Sequence, residues 1–343
     1  MLRIANPLVP STVAPIGAFA IVGWVLVGSG VAHADVIERT FDVGVTGRLV
    51  LDSDVGAVEV ESNDSGRVEV RVERDGRDAD RFEVEFDQRG NEVRVRGELP
   101  GRRNWNNRDL EIEFRVSVPR GFEIEVNTSG GSIEVDDLDG DVDVNTAGGF
   151  IRMANMGGEV RARTAGGSID LEESRGNARL NTAGGSISVR RAGGEVEAKT
   201  AGGSISIDDA GGSVNARTAG GSIRIGASGG DVVAHTAGGS VSVDDVYGSV
   251  DASTNGGSIN ARIRSQPSGN SELRTHGGSV TVSLAPGVAM DIDAYSSNSR
   301  VSSDFEFPAS AWDDDRAELR AALNGGGPEL SIRASHRIRI KRD

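Results

Sequence analysis

Four acidic pairs come nearest to chemistry by residue type and spacing. Asp136/Asp137, Glu172/Glu173, Asp208/Asp209 and Asp244/Asp245 recur at every thirty-sixth position. Paired carboxylates at turns suit a hard cation, so one reading is a row of calcium sites. Between the pairs stand Ala154/Asn155, Arg190/Arg191, Gly226/Ala227 and Arg262/Ile263. A second reading is a corner that carries acid in alternate turns of a repeat. Like charges stacked about 4.8 Å apart repel, whereas acid over arginine attracts by roughly 0–1 kcal/mol when exposed. The calcium-binding nonapeptide needs Gly-Gly-x-Gly-x-Asp; here isoleucine or valine fills the fourth place. Charge alternation is the preferred reading, and no metal or other cofactor is assigned.

The remaining candidates are sparser. Threonines at equal spacing could template ice or meet a glycan, yet they form a single rank beside a turn. A corner hydroxyl ladder that satisfies backbone groups is the preferred reading. Ser168, Ser186, Ser204, Ser222 and Ser240 run parallel to it. His235, His276 and His336 are scattered, and Ser240 beside His235 in sequence does not make a catalytic triad. The Gly-Gly pairs are no phosphate loop, because Gly-x4-Gly-Lys-[Ser/Thr] is absent. Only Trp105 and Trp312 lie in segments that mix aromatic and charged residues, the composition of a carbohydrate contact. No catalytic residue is assigned.

These residues are positioned by a repeat. Thr128, Thr146, Thr164, Thr182, Thr200, Thr218, Thr236 and Thr254 fall at every eighteenth position. Thr275 follows after a longer interval, the extra residues falling in Ser265–Asn270. Such constancy marks stacked coils, each in contact with its neighbours alone. Each unit splits into two nines, as in T-A-G-G-S-I-S-V-R and R-A-G-G-E-V-E-A-K at 182–199. Ile187/Val189 and Val196/Ala198 show the period of two that marks a strand with one buried face. The glycine pairs supply corner backbone angles closed to other residues. A hexapeptide helix fails, since six-residue steps from Ile187 reach Gly193 and Lys199.

The sequence therefore predicts an all-β fold: a right-handed parallel β-helix, a flattened solenoid whose 18-residue coils hold two short strands each. A few aliphatic side chains per coil, at roughly 1.5–3 kcal/mol each, barely exceed the ordering entropy. Stability must come from stacking, and both ends need covers. Residues 35–120 read as irregular first coils and an N-terminal cap, with an exposed loop at Arg102–Arg108; residues 121–302 read as the regular solenoid. In the C-terminal cap, 303–343, Ser310–Leu323 reads as a short helix capped by Ser310 or Asp313 and stopped at Asn324-Gly325. Glu329–Ile332 and Arg337–Ile340 read as closing strands.

Residues 1–34 read as a signal peptide: Arg3, an apolar run from Val13 to Val27, then Ala32-His33-Ala34 before Asp35. The uncleaved alternative is a membrane anchor. The 343 residues hold no cysteine, so the fold relies on no disulfide. A formal charge of −15 disfavours nonspecific binding to nucleic acid or to an anionic membrane.

The run F-R-V-S-V-P-R-G-F-E-I-E-V-N-T-S-G-G-S-I-E-V at 114–135, the T-A-G-G-S-I copies and L-N-G-G-G-P-E-L-S-I-R-A-S at 323–335 resemble a bacterial candidate-adhesin family over about residues 40–340. The resemblance implies an exported β-helix protein in the periplasm or at the cell surface. It brings no catalytic residues. The expected function is a noncatalytic scaffold whose partners are cell-surface glycans or other envelope proteins. The alternative is a glycan-binding or glycan-processing protein with its site near Trp105 or Trp312. At Ala334-Ser335-His336-Arg337-Ile338 the expected glycine is missing, which predicts a distorted last coil.

Overall fold

The computed structural model describes residues 35–100 and 110–343. The segment expected to be a signal peptide and Trp105 lie outside the described residues. Strands pair into two sheets of fifteen. One, here the threonine sheet, holds strands such as Val196–Thr200 and Val214–Thr218; the other, the isoleucine sheet, holds Ile187–Ala192 and Ile205–Ala210. From Leu110–Pro119 to Val301–Ser303 chain neighbours alternate between sheets, so each coil gives one strand to each. Parallel pairing sets Thr146 against Thr164, Lys199 against Arg217, and Ile187 against Ile205, so each residue meets its equivalent one repeat on. Ile205, Ile207, Val214 and Ala216 point inward at no more than 1% exposure, while the residues between them face out. The expected solenoid with two strands per coil is thus observed.

The glycine corners have a different cause from the one expected. None of the repeat's glycine pairs adopts the left-handed region. The second glycine of each pair is instead crowded by the coil beneath. A Cβ on Gly203 would lie 2.1 Å from the Gly185 carbonyl oxygen, and one on Gly221 2.2 Å from that of Gly203. Side chains are excluded by coil-to-coil contact, not by φ.

Threonine completes the same corner. The Thr200 hydroxyl donates to the Gly185 carbonyl at 2.8 Å and accepts from the Gly203 N–H at 3.3 Å. The bonds recur at Thr164, Thr182, Thr218 and Thr236. The threonines are buried, Thr182 being 8% exposed, so no rank faces ice or glycan. Beside them the Ser186 hydroxyl accepts from the Ser204 N–H at 3.2 Å, and Ser204 does the same for Ser222. At the opposite corner Asp141, Asn177 and Asp231 side chains each accept from a backbone N–H one coil on, at 2.8 Å. Groups that sheet pairing leaves open at the bends are thereby satisfied.

Both ends are interleaved rather than stacked in chain order. The first coil, Thr46–Ser53 and Ala57–Asn63, lies between Glu92–Glu98 and Gly121–Thr128 in one sheet, and between Leu110–Pro119 and Ile133–Asp136 in the other. The last coil is enclosed likewise. Glu329–Ala334 pairs with Ser271–Thr275 and Met290–Ser296, and Ile338–Arg342 with Val280–Leu284 and Val301–Ser303. The closing strands therefore fill a gap one coil inside the end. Antiparallel strands form three of the four outer edges: Asp35–Asp42 on Arg67–Gly76, Glu83–Arg89 on Glu92–Glu98, and Glu318–Leu323 on Met290–Ser296; the fourth is the short parallel strand Val301–Ser303. The antiparallel edges offer no register for a further parallel coil.

Two expectations for the C-terminal cap are corrected. Ser310–Leu323 is not a helix; it comprises a 3-10 turn at Ala309–Ala311 and the strand Glu318–Leu323. Leu319 and Leu323 fit helical spacing, but with Ala321 they also alternate at period two, and the open edge of Met290–Ser296 selects the strand. Neither Ser310 nor Asp313 caps a helix; Asp313 accepts from the Glu318 N–H at 2.9 Å and sets the turn into the strand. The missing glycine at 334–338 alters the coil at its corner alone. Thr275 to Val280 spans five steps along the chain, and the aligned Ala334 to Ile338 spans four. The corner is one residue shorter, so the crowded position is skipped.

Thr200→Val should cost roughly 1–3 kcal/mol in urea unfolding, because it orphans a buried carbonyl and N–H, and Thr200→Ser should restore most of it. Gly203→Ala should cost more than Thr200→Val. In hydrogen exchange, Ile340→Asp should expose amides of 290–323, beyond the inserted coil, as well as 280–284, and leave 160–200 protected. Exposure confined to 338–342 would contradict the enclosed last coil.

Candidate functional site

The acidic pairs stack vertically, as expected from their spacing of two repeats. Arg191 lies between Glu173 and Asp209, and Ala227 between Asp209 and Asp245. Arg190 meets Glu172 at 2.6 Å, and Arg191 reaches Glu173 and Asp209 at 3.9 and 3.8 Å. Arg264 and Arg262 hold Asp245 at 2.6 and 3.5 Å, keeping its carboxyl below its ordinary pKa, chiefly through the Arg264 hydrogen bond. Among the described residues no group of three or more His, Asp or Glu is placed to hold a metal ion.

Asp136/Asp137 depart from this pattern. Asp137 and Asn155 both sit at φ 59° and end their strands early. Asp136 pairs with Glu61 on one side and Ala154 on the other, so neither adjacent position holds an arginine. Burial first, then Asp137, Glu172 and Glu61, raise its carboxyl above 3.8.

The histidines and Ser240 are not brought together. His235 Nε2 lies 3.1 Å from Asp251 on the outer threonine sheet, whereas the Ser240 hydroxyl accepts from the Ser258 N–H at 3.2 Å. A depression of about 500 Å³ lies over Glu38, Arg71, Glu59 and Arg115 at the N-terminal end. Its arginines are engaged: Arg71 with Glu38 and Glu73 at 2.7 and 2.9 Å, Arg115 with Glu73, Glu113 and Glu59 at 3.0, 2.9 and 3.5 Å.

Trp312 is half-buried against the end of the core. Its ring meets Phe307 edge-on at 6.4 Å between centroids, and the Arg316 guanidinium lies 5.3 Å from its centre. Exposed Asp313, Asp314 and Asp315 adjoin it. The tryptophan thus both covers the core and stands among charges.

Sequence reasoning missed how charge divides between faces. On the threonine sheet, strands Val160–Thr164 to Val214–Thr218 turn out Arg161, Arg163, Arg179, Lys199 and Arg217 against one carboxylate, Glu197. Reading every eighteenth residue from Asn145 would have found part of it.

Asp136→Asn should raise stability slightly. A raised carboxylate pKa means that the native state pays for ionisation, so the penalty is full at neutral pH and fades as pH falls towards 3.8. Thermal melts should show the gain at pH 7 and its loss in acid; a loss of stability at pH 7 would contradict the like-charge ladder.

Among the described residues no helix is long and apolar enough to cross a membrane. No curated protein matches the chain. Solved structures similar to it include a candidate cell adhesion protein of Clostridium sporogenes, at 12% identity and TM-score 0.26 over 90% of this chain and 100% of that one. A candidate adhesin of Bacteroides fragilis matches at 12% and 0.27, covering 91% and 99%, and one of Parabacteroides distasonis at 10% and 0.32, covering 91% and 98%. The Toastrack (DUF4097) family profile matches residues 47–235, from the first enclosed coil into the regular stack. With more than half of its length so matched, the chain belongs to the Toastrack family.

Proposed function

We propose that this chain is a noncatalytic, exported envelope or surface protein that acts as a rigid β-solenoid scaffold in adhesion. The observation that carries this reading is the uninterrupted stack from Thr128 to Thr254. Its coils follow one another at one constant period, with no inserted loop to wall a catalytic cleft. The buried hydroxyls are used up by backbone groups, which leaves the outward side chains free to meet a partner. Export is supported by the apolar run and Ala32-His33-Ala34 at the start of the chain. Surface glycans or other envelope proteins are the partners this role requires, in the periplasm or at the cell surface.

The second reading is a glycan-binding or glycan-processing site near Trp105 or near Trp312. At Trp312 it is favoured by the edge-on contact with Phe307 and the Arg316 guanidinium over the ring, beside three exposed aspartates.

In cells lacking the protein, adherence to a glycan-bearing surface should fall severalfold and return on complementation, and protease added to intact cells or spheroplasts should reach the protein. Full adherence without it, or retention in the cytoplasm, would overturn the scaffold reading. Glycan-array binding that is unchanged when Trp105 and Trp312 are both replaced by leucine would remove the second.

A further inference from the structure

The outer threonine sheet holds a column that breaks the rule kept on the opposite face. From Asn127 to Arg333, ten successive ladder positions carry no carboxylate. Arg163, Lys199, Arg217, Arg274 and Arg333 supply cations, and amide, imidazole or hydroxyl side chains fill the places between. At one inter-strand spacing per coil the column runs about 40 Å. The isoleucine sheet interleaves acid with arginine, but here Lys199 pairs directly with Arg217, and Arg217 with His235. Like charges opposite one another destabilise a sheet. Each of these cations but Arg217 has a carboxylate beside the column: Arg163 reaches Asp143 at 3.4 Å, Lys199 Glu197, Arg274 Glu272, and Arg333 Asp293 at 2.5 Å. Exposed pairs of this kind are worth about 0–1 kcal/mol, so they offset the repulsion only weakly and can be exchanged for another carboxylate.

The column is also pre-set. Asn127 donates to Asp52 at 2.8 Å, Asn145 to Asn127 at 3.0 Å, and Arg163 reaches Asn145 at 3.4 Å. Arg217 leans on Asn215, a neutral partner, so its charge is not neutralised there. Beyond Arg333 the next position is Tyr295, 45% exposed.

We propose that this column is a binding track for a linear acidic polysaccharide, its carboxylates meeting the guanidinium and ammonium groups and a sugar ring resting on Tyr295. Guanidinium groups bind carboxylates through short charge-assisted bonds. The neighbouring column mixes Asp143, Glu197, Asp251 and Glu272 with Arg161 and Arg179, both held by Glu159. A planar anionic membrane would meet those acids and a chain of charge −15; a thin polymer can lie along the column and exchange its carboxylates for the exposed Asp143, Glu197 and Glu272 partners. Single-stranded nucleic acid would need aromatic platforms along the groove, and Tyr295 stands at one end. The inference rests on the adhesion reading for where the polymer is met, but its test is in vitro, so the two fail separately.

The purified protein is titrated with polygalacturonate, with neutral dextran as control and phosphatidylserine vesicles as a separate arm, at low and high salt. Polygalacturonate should bind at low salt and dextran should not. Lys199→Gln with Arg217→Gln should weaken binding by about tenfold and flatten its log–log salt dependence by about 1 to 2. Glu197→Gln should tighten it, a gain that misfolding would not produce. Arg190→Gln with Arg191→Gln, on the other sheet, should change nothing. No binding, equal binding by the Lys199/Arg217 variant, equal loss in the Arg190/Arg191 variant, or binding to vesicles but not to polygalacturonate would overturn the proposal.

Discussion

Coil rests on coil through bare backbone. At the Gly-Gly corners the second glycine lies so near the carbonyl below that a Cβ on Gly167, Gly185 or Gly239 would sit 2.0 to 2.3 Å from that oxygen. In the regular stack, glycine at the same place in each winding lets the chain close to sheet spacing at its bends as well as along its strands. The constancy of the repeat follows from this contact, because a slipped register would bring a side chain to a place with no room. The threonine follows too: its hydroxyl takes the carbonyl and N–H that the bend leaves unpaired. Each coil is thin, and its cohesion comes from neighbours on both sides.

The same constraint explains the ends. A terminal coil would have one partner and an open apolar face. The chain instead encloses its first and last coils and leaves antiparallel strands at three edges and the three-residue strand Val301–Ser303 at the fourth. Phe82, Phe114 and Phe122 fill the N-terminal end, while Phe307 and Trp312 pack against the other. Because glycines, threonines and inward aliphatics fix the fold, the outward positions are left free. That freedom permits one face to alternate acid with arginine and the other to gather cations in a protein that is acidic as a whole.

The repeat was legible because periodicity reports packing directly. Thr128 to Thr254 and the pairs Ile187/Val189 and Val196/Ala198 led to the strands, sheets and register that are found. The vertical ladders of Glu173, Arg191 and Asp209 followed from the same arithmetic. Order at the ends was not legible, because Leu330 and Ile332 alternate in the same way whether their strand lies inside the stack or at its edge. Leu319 and Leu323 satisfy two periods at once, and only the free edge beside them decides between strand and helix. The reason for the glycines was hidden as well, since close approach of two windings leaves no trace in one. The basic column escaped notice because its members are a full winding or more apart in sequence and each is ordinary alone.

Excision of one winding tests the central claim most directly. Removing Ala183–Thr200 joins Thr182 to Ala201 and restores every corner in register; removing Ala183–Lys199 leaves each later glycine one residue out of place. The account requires the first deletion to keep β-sheet circular dichroism and one cooperative unfolding transition, and the second to lose the cooperative transition. Equal tolerance of both, or equal collapse, would show that backbone contact between successive windings is not what holds the stack.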